Sequence, residues 1–276
     1  MRDITKKIKN ETLAQPVEHR PFKAGVEGSN PSCLTENSAE FQQSFLIYSE
    51  KREFMEIKPI AYIHTDFKKK FGIPRQAGRI PELTGRIVFE PEFRNPEALR
   101  GITDFSHLWL IFDFSASHRE NWLPTVRPPR LGGNTRIGVF ASRSPFRPNP
   151  IGLSCVKLES IEHGELLVSG VDLLDNTPIL DIKPYLPYAD CHPEASGSYG
   201  EVLKNYHLEV VFPEQLRSVI PEEKQKAVLA CLADDPRPSY QDNSDRIYSM
   251  QFAEFDIHFK VTQNQLEVIG IDILLR

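Results

Sequence analysis

Residues 152–174 read GLSCVKLESIEHGELLVSGVDLL, and this stretch decides the fold class. Two runs rich in apolar and β-branched residues, 152–162 and 165–174, flank the pair His163-Gly164. Each run has the length and composition of a strand, and a short connection containing glycine predicts a β-hairpin. The sequence therefore indicates an antiparallel pair of strands at the centre of the chain.

Further strand-like runs precede this hairpin. They are short, rich in aromatic and β-branched residues, and bounded by turn formers: IKPIAYI (57–63), GRIVFE (85–90), HLWLIFDF (107–114) and RIGVFAS (136–142). Only residues 95–101 predict a short helix in this half of the chain. Closely spaced strands without intervening helices predict a mainly β protein with an antiparallel β-barrel core.

The pattern changes after residue 189. Residues 190–200 read as a polar linker, and 206–212 as a strand. Residues 213–233 predict helix interrupted at Pro221, and 247–261 and 265–275 predict a hairpin. We therefore expect a barrel domain over 55–189 and a small α+β C-terminal domain over 190–276.

Composition excludes several classes of protein. Hydrophobic content of 40% and charged content of 26% fit a soluble globular protein. No apolar run reaches the ~18 residues that cross a bilayer, and the N-terminus lacks the apolar core of a secretion signal. The four cysteines have no metal-ligand spacing, so we expect reduced thiols and no metal in a cytoplasmic protein: Cys33, Cys155, Cys191 and Cys231.

Charge is distributed unevenly along the chain. The formal net charge is -5, yet the stretch between Glu120 and Glu159 has no acidic residue and five arginines: Arg127, Arg130, Arg136, Arg143 and Arg147. A polyanion is attracted to this stretch and repelled by the average surface. The pattern indicates an oxyanion-binding surface. The alternative is a set of solvated surface charges.

Several segments also carry a family resemblance: PRQAG (74–78), FSHLWLIFDF (105–114), PTVRPPRLGG (124–133), GVFASRSPFRPNPIGLS (138–154), VDLLDNTPILDIKPYLPY (171–188) and DPRPSY (235–240). From about Met55 to the C-terminus the chain resembles the TrmO family, formerly YaeB or TsaA, the tRNA N6-threonylcarbamoyladenosine methyltransferases. The resemblance implies a β-barrel that holds S-adenosylmethionine (SAM) near a homodimer interface. The residues alone predict no SAM site, because the chain has no GxGxxG motif.

The resemblance also implies cofactor contacts at particular positions: Arg75, Gln76, Ala77, Ser115, Ala116, Arg143, Leu153, Ser169, Gly170, Val171 and Asp172. Family members more often have proline at the position of Ala77, and some have larger polar residues at Ser115 and Ala116. Arg143 would pair with a carboxylate or stack on adenine. Asp172 would accept hydrogen bonds from ribose hydroxyls or an ammonium group, or it is an ordinary exposed charge.

The implied substrate is adenosine 37 of a tRNA anticodon loop, already carrying N6-threonylcarbamoyl. Asp181, Lys183 and Tyr185 alternate along one strand face. Asp181 or Tyr185 is therefore expected to hydrogen-bond N6, and Asp181 is the candidate acceptor of its proton. An exposed Asp181–Lys183 salt bridge explains two of the three residues equally well. Six basic residues are candidates for tRNA contacts: Arg127, Arg130, Arg136, Arg147, Lys183 and Arg237. For Arg237 the resemblance implies either a place near the active site or a contact with RNA, and the alternative is a helix C-terminal stop.

Two other functions remain open from the sequence. A non-catalytic RNA- or nucleotide-binding barrel would use the same arginines without SAM. A hydrolase of phosphorylated small molecules would need a carboxylate cluster or an activated nucleophile, and neither is evident.

Residues 1–54 lie outside the resemblance, and their acidic and basic residues balance. Residues 13–32 resemble the product of a tRNA gene read as protein. We expect translation to start at Met55, and the alternative is a genuine disordered extension.

Overall fold

The computed structural model describes residues 56–128, 135–197, 206–237 and 243–274. The expectations for residues 1–54, including Cys33, lie outside these ranges, and so does Arg130. The described residues belong to one compact unit, which contains a closed barrel and a second sheet.

Six strands close the barrel: β1 (Ala61–Thr65), β2 (Thr84–Phe89), β3 (His107–Asp113), β6 (Ile151–Glu162), β7 (Glu165–Ser169) and β8 (Thr177–Pro184). Their order around the barrel is β1-β2-β7-β6-β3-β8, and every neighbouring pair is antiparallel. The antiparallel barrel predicted from sequence is confirmed. The hairpin at His163-Gly164 joins β6 to β7, and both turn residues have positive φ.

Alternation along each strand fills the barrel interior. In β3 the side chains of Leu108, Leu110 and Phe112 are buried, while the residues between them face outward. Ile63 of β1 lies opposite Ile87 of β2 in the same core. This period of two is what a sheet with one buried face requires.

Because all neighbours are antiparallel, three connections emerge at the same end of the barrel. They are residues 66–83 between β1 and β2, residues 114–150 between β3 and β6, and residues 170–176 between β7 and β8. We call this the cofactor end after the cofactor positions that the resemblance implies, because most of the site residues predicted from sequence lie on these connections. The β6–β7 hairpin and the carboxyl end of β8 lie at the opposite end.

The connection 114–150 contains little regular structure. Its described part has two short paired strands, β4 (Thr125–Val126) and β5 (Ile137–Gly138), followed by a 3₁₀ turn over Val139–Ala141. The prediction of a strand over 136–142 was therefore correct for two residues only. The short helix predicted at 95–101 is a 3₁₀ turn over Pro96–Leu99, where the side chain of Asn95 accepts from the amide of Glu97 at 3.0 Å.

The C-terminal part is a four-stranded sheet with short helices. The helices are α1 (Pro187–Asp190), α2 (Glu214–Arg217) and α3 (Glu222–Ala233). The strands are β9 (Glu209–Val211), β10 (Tyr248–Phe252), β11 (Phe255–Thr262) and β12 (Gln265–Ile273), in the order β10-β11-β12-β9. The expected single strand over 247–261 is two strands, because the chain turns at Ala253, whose φ is 52°.

The second sheet packs on the β1–β2 connection. Phe67 meets Phe252 edge to face with ring centroids 5.4 Å apart. Lys224 Nζ lies 2.7 Å from both carboxylate oxygens of Asp66, and the amide of Ala253 donates to the carbonyl of Asp66 at 2.7 Å. One loop of the cofactor end is therefore supported from outside by the C-terminal sheet. The domain boundary predicted near residue 189 stays a prediction.

Candidate functional site

Two backbone segments touch at the cofactor end. The amide of Gly78 donates to the carbonyl of Gly170 at 2.8 Å, and the amide of Gly170 donates to the carbonyl of Leu83 at 2.8 Å. A Cβ on Gly170 would lie 3.2 Å from Cα of Gly78, and its φ of 72° is in the left-handed region. Glycine at 170 therefore lets the segments 75–78 and 170–172 approach each other.

Asp172 is the carboxylate at this junction. Ser154 Oγ donates to its Oδ1 at 2.6 Å, and the backbone amide of Ala77 also donates to it. Burial raises the pKa of Asp172 to about 6, although these hydrogen bonds and the charge of Arg143 lower it. A partly buried carboxylate with a raised pKa favours a cationic ligand, because a positive charge replaces the water that burial removed.

Arg143 joins a third element to this junction. Its guanidinium donates to the side-chain oxygen of Gln76, whose amide nitrogen donates to the carbonyl of Arg75. The loop that carries Arg143 is stiffened by Ser142, whose hydroxyl donates to the carbonyl of Val139 at 2.8 Å. Residues from all three connections thus meet at one place, and binding of the cofactor there stays a prediction.

The C-terminal part also reaches this place. Arg75 Nη2 donates to the backbone carbonyl of Arg237 at 3.0 Å. The guanidinium of Arg237 is buried and donates to both carboxylate oxygens of Asp235, at 2.9 and 3.1 Å. Burial alone would lower the pKa of Arg237, but hydrogen bonds and charge from Asp235 raise it above its ordinary value. Arg237 therefore lies beside the 75–77 segment, and its expected contact with RNA stays a prediction.

Other expected cofactor positions lie on the same three connections or next to them in the sequence. Lys70 Nζ donates to the carbonyl of Ala116 at 2.6 Å, which ties the Ser115–Ser117 turn to the β1–β2 connection. Val171 is in the core, and the hydroxyl of Ser169 donates to Glu159. At Val171 only backbone groups remain for a polar contact, whereas the Ser169 hydroxyl has used its proton and can still accept a hydrogen bond.

Leu153 points away from the barrel interior, and 54% of its surface is exposed. Its neighbour Ser154 faces inward toward Asp172, because successive side chains of a strand alternate. Sequence reasoning missed Ser154. The only available signal was a polar residue at an inward position of a strand whose neighbours there, Gly152 and Val156, are buried.

The structure does not bring Asp181 and Tyr185 to the junction. Asp181 Oδ2 lies 2.7 Å from Lys183 Nζ, which is the exposed salt bridge kept as the alternative explanation. The ring of Tyr185 packs on Trp109, with centroids 5.7 Å apart, beyond the carboxyl end of β8. Strand β8 has 8 residues and therefore spans about 25 Å. Because it starts at the cofactor end and Tyr185 follows its last residue, Tyr185 lies at the opposite end of the barrel. Their catalytic roles stay predictions.

The described arginines of the basic stretch lie on one connection. Arg136 donates to Thr125 Oγ1 at 3.0 Å, and Arg147 donates to the carbonyl of Ser142 at 3.4 Å. Arg127 is exposed, and Arg143 contacts the 75–77 segment. These four arginines therefore share the connection 114–150 at the cofactor end, and Arg143 is the one whose described hydrogen bond reaches the junction.

No group of three His, Cys, Asp or Glu side chains in the described ranges is placed to hold a metal ion. Within the same ranges, no helix is both long and apolar enough to cross a membrane. Cys155, Cys191 and Cys231 form no disulfide.

Comparison with known proteins identifies the family. The family model described as the tRNA-methyltransferase O N-terminal domain matches residues 62–191, and the TrmO C-terminal domain matches residues 205–273. Since these matches cover well over half of the chain, it belongs to the TrmO family. The first match contains the six barrel strands except for Ala61, and the second contains the four-stranded sheet.

Individual relatives agree with this assignment. A tRNA (adenine(37)-N6)-methyltransferase of Escherichia coli K12 is 38% identical over 229 residues, which cover 79% of this chain and 97% of the relative. A putative S-adenosylmethionine-dependent methyltransferase, RcsF, of Pseudomonas aeruginosa is 42% identical over 211 residues, covering 74% of this chain and 91% of the relative. A crystal structure of TrmO from Pseudomonas aeruginosa superposes with a TM-score of 0.66 at 34% identity, covering 79% of this chain and 99% of that one.

Proposed function

We propose that the protein transfers the methyl group of SAM to N6 of adenine 37 in tRNA, on an adenine that already carries N6-threonylcarbamoyl. The family assignment over both domains supports this activity. The observation that carries it is the meeting of the segments 75–77 and 170–172 with Arg143 around the partly buried carboxylate of Asp172.

The junction fits SAM chemically. SAM supplies a methyl group on an electrophilic sulfonium, together with an ammonium, a carboxylate, a ribose and an adenine. Asp172 accepts from its ammonium or ribose hydroxyls, and Arg143 pairs with its carboxylate. Backbone groups of 75–77 and 170–172 hydrogen-bond the adenine edge. These contacts fix the donor so that N6 of the substrate approaches in line, and such positioning supplies several kcal/mol of the barrier.

The N6 proton must leave as the new C–N bond forms. Asp181 remains our proposed acceptor, with Tyr185 beside it on the same surface. Both lie on the outer face of the barrel, away from the junction of their own chain. A second protomer would have to bring that outer face to the cofactor end, so this assignment requires a homodimer.

Exposed apolar side chains support such a homodimer. Phe140 is 75% exposed, Leu153 54% and Ile151 41%, and all three lie on the 114–150 connection or the first residues of β6. An apolar surface of this kind beside the cofactor end suits the contact between two copies of the chain.

The basic connection is the proposed tRNA surface. Arg127, Arg136 and Arg147, together with Arg130 and Lys183, bind phosphates of the anticodon arm. One of these arginines binds the threonyl carboxylate of the substrate, which distinguishes the modified base from plain adenosine. A loop nucleotide leaves its stack more easily than one in a duplex, so adenosine 37 can enter the site. We propose that the reaction takes place in the cytoplasm.

The decisive experiment has two steps. Titration of the protein with SAM by calorimetry is followed by transfer of label from methyl-tritiated SAM to tRNA with and without the threonylcarbamoyl group. We expect saturable SAM binding and label only in the modified tRNA. Binding of tRNA without SAM binding or label would instead establish a non-catalytic RNA-binding barrel. Equal label in both tRNAs would remove the proposed substrate and keep the methyl transfer.

A further inference from the structure

Two consecutive carboxylates at the end of α3, Asp234 and Asp235, take part in the contacts between the C-terminal part and the β1–β2 connection. Asp234 Oδ1 accepts from Arg79 Nε at 2.8 Å, at the end of the 75–79 segment. Asp235 binds the guanidinium of Arg237 through both oxygens, and the carbonyl of Arg237 accepts from Arg75. The C-terminal part therefore holds the 75–79 segment at both ends. The side chain of Asp234 binds Arg79, and the backbone carbonyl of Arg237 binds Arg75.

Asp235 also fixes the backbone that carries this carbonyl. Its Oδ1 accepts from the amide of Arg237 at 3.2 Å, and Tyr206 donates to its Oδ2 at 3.0 Å. A side chain that binds the amide two residues onward forms a local turn. The φ of Asp235 is 53°, so the turn includes a left-handed residue. The carbonyl of Arg237 is thereby oriented toward Arg75.

We propose that Asp235 and Arg237 are positioning residues for the cofactor. Through the Arg237 carbonyl they hold Arg75, and with it the 75–77 segment, in the geometry that SAM binding requires. The inference rests on the proposed placement of SAM between 75–77 and 170–172. It gives Arg237 a positioning role beside the 75–77 segment and favours this role over the RNA contact that the resemblance also implies.

Burial favours this assignment over a phosphate contact. The side chain of Arg237 is only 8% exposed, and its Nε and Nη2 donate to Asp235. A phosphate would have to displace Asp235, leaving a carboxylate buried at 7% exposure without its cation. Leaving one partner of a buried ion pair uncompensated costs several kcal/mol, whereas the intact pair adds little net stability. What the pair supplies is a fixed geometry.

The test uses Asp235→Asn in the full chain. Asparagine tolerates positive φ and keeps an oxygen for the Arg237 amide, so the turn can still form while the ion pair is lost. We expect the SAM dissociation constant by calorimetry to rise about tenfold, as for residues coupled in one network. The KM for modified tRNA at saturating SAM should stay unchanged.

Asp272→Asn is the matched control. Asp272 also lies in the C-terminal sheet and pairs with His258 at 2.9 Å, but this pair joins β11 to β12 and is not one of the contacts to Arg75 and Arg79 described above. The control should bind SAM as the wild type does. An unchanged SAM affinity in Asp235→Asn, or a raised KM for tRNA alone, would overturn the inference.

A double-mutant cycle tests the route through Arg75. In an Arg75→Ala background, Asp235→Asn should change the SAM dissociation constant by less than about twofold, because the link is already broken. Additive effects would show that Asp235 acts by another route and would overturn the inference.

If Asp235→Asn does not fold, Tyr206→Phe replaces it, because this change removes one hydrogen-bond donor to the same carboxylate. The SAM dissociation constant should then rise by a smaller factor, and an unchanged value would again overturn the inference. If the wild-type protein does not bind SAM at all, the proposed function fails, and this result is distinct from a failure of the inference about Asp235 and Arg237.

Discussion

Ser154 donates its hydroxyl proton to Asp172 at 2.6 Å across the cofactor end of the barrel. Ser154 belongs to β6 and Asp172 to the connection after β7, so the hydrogen bond fixes the β7–β8 connection against the barrel wall. It also supports the charged form of a carboxylate whose pKa burial raises to about 6. Asp172 therefore changes protonation in a range of pH where the protein can be assayed.

Affinity for SAM should depend on this protonation. The carboxylate form of Asp172 attracts the cationic donor, so SAM binding should weaken as pH falls from 7.5 through about 6 toward 5. Below the pKa each unit of pH should lower the affinity by up to about tenfold. Calorimetry across this range measures the midpoint. In Asp172→Asn the affinity should be lower at pH 7.5 and lose this pH dependence; a wild-type affinity that is flat across the range would contradict the assignment.

The charged carboxylate of Asp172 should also lower the free energy of unfolding. Its folded pKa of about 6 lies above the ordinary value for Asp, so the folded state binds the proton more tightly than the unfolded state. The cost is absent below the unfolded pKa, grows as pH rises between the two values, and is complete above 6. Thermal unfolding of Asp172→Asn should therefore show a larger gain in Tm over the wild type at pH 8 than at pH 5. An equal difference at both pH values would show that the pKa of Asp172 is not raised.

Gly170 should tolerate no side chain. A Cβ there would lie 3.2 Å from the Cα of Gly78, and the φ of 72° adds backbone strain. Gly170→Ala should lower the free energy of unfolding by about 1–3 kcal/mol and weaken SAM binding, since it separates the two segments of the site.

Gly164→Ala is the matched control for this change. Gly164 has a φ of 81°, but a Cβ there meets no atom within 4 Å, and it lies in the hairpin at the opposite end of the barrel. It should cost about 1 kcal/mol of backbone strain and leave the SAM dissociation constant unchanged. If both variants bind SAM equally well, the contact between Gly170 and Gly78 does not shape the site.

Much of this architecture is readable in the sequence, because its signals are local. The hairpin at His163-Gly164 and the alternation in 107–113 depend on neighbouring residues, and both are confirmed. The split of 247–261 at Ala253 was missed because a residue with positive φ other than glycine leaves no clear mark. Contacts between distant segments, such as Ser154 with Asp172 or Arg75 with Arg237, have no local pattern at all.

The basic connection should set the salt dependence of tRNA binding. Replacing Arg127 and Arg136 together by glutamine should weaken binding to every tRNA tested, whatever its sequence. The plot of log affinity against log salt concentration has a negative slope, and its magnitude should decrease by about one to two. Fluorescence anisotropy with labelled tRNA measures the slope. Arg100→Gln is the control, because Arg100 pairs with Glu97 on the β2–β3 connection at the opposite end. A slope that falls equally in the control would place the tRNA elsewhere.

A substitution at Leu153 tests whether two copies of the chain form a dimer. Since 54% of its surface is exposed, a charge at this position costs little in the isolated chain but would be buried without a partner in an apolar dimer contact. Leu153→Glu should therefore unfold at nearly the wild-type temperature yet elute as a monomer in light-scattering chromatography, where the wild type elutes as a dimer. If Asp181 or Tyr185 reaches the cofactor end of a second protomer, this monomer should also lose methyl transfer. Full activity in a monomeric variant would leave both residues outside the reaction, and the acceptor of the N6 proton would then have to lie on the same chain as Asp172.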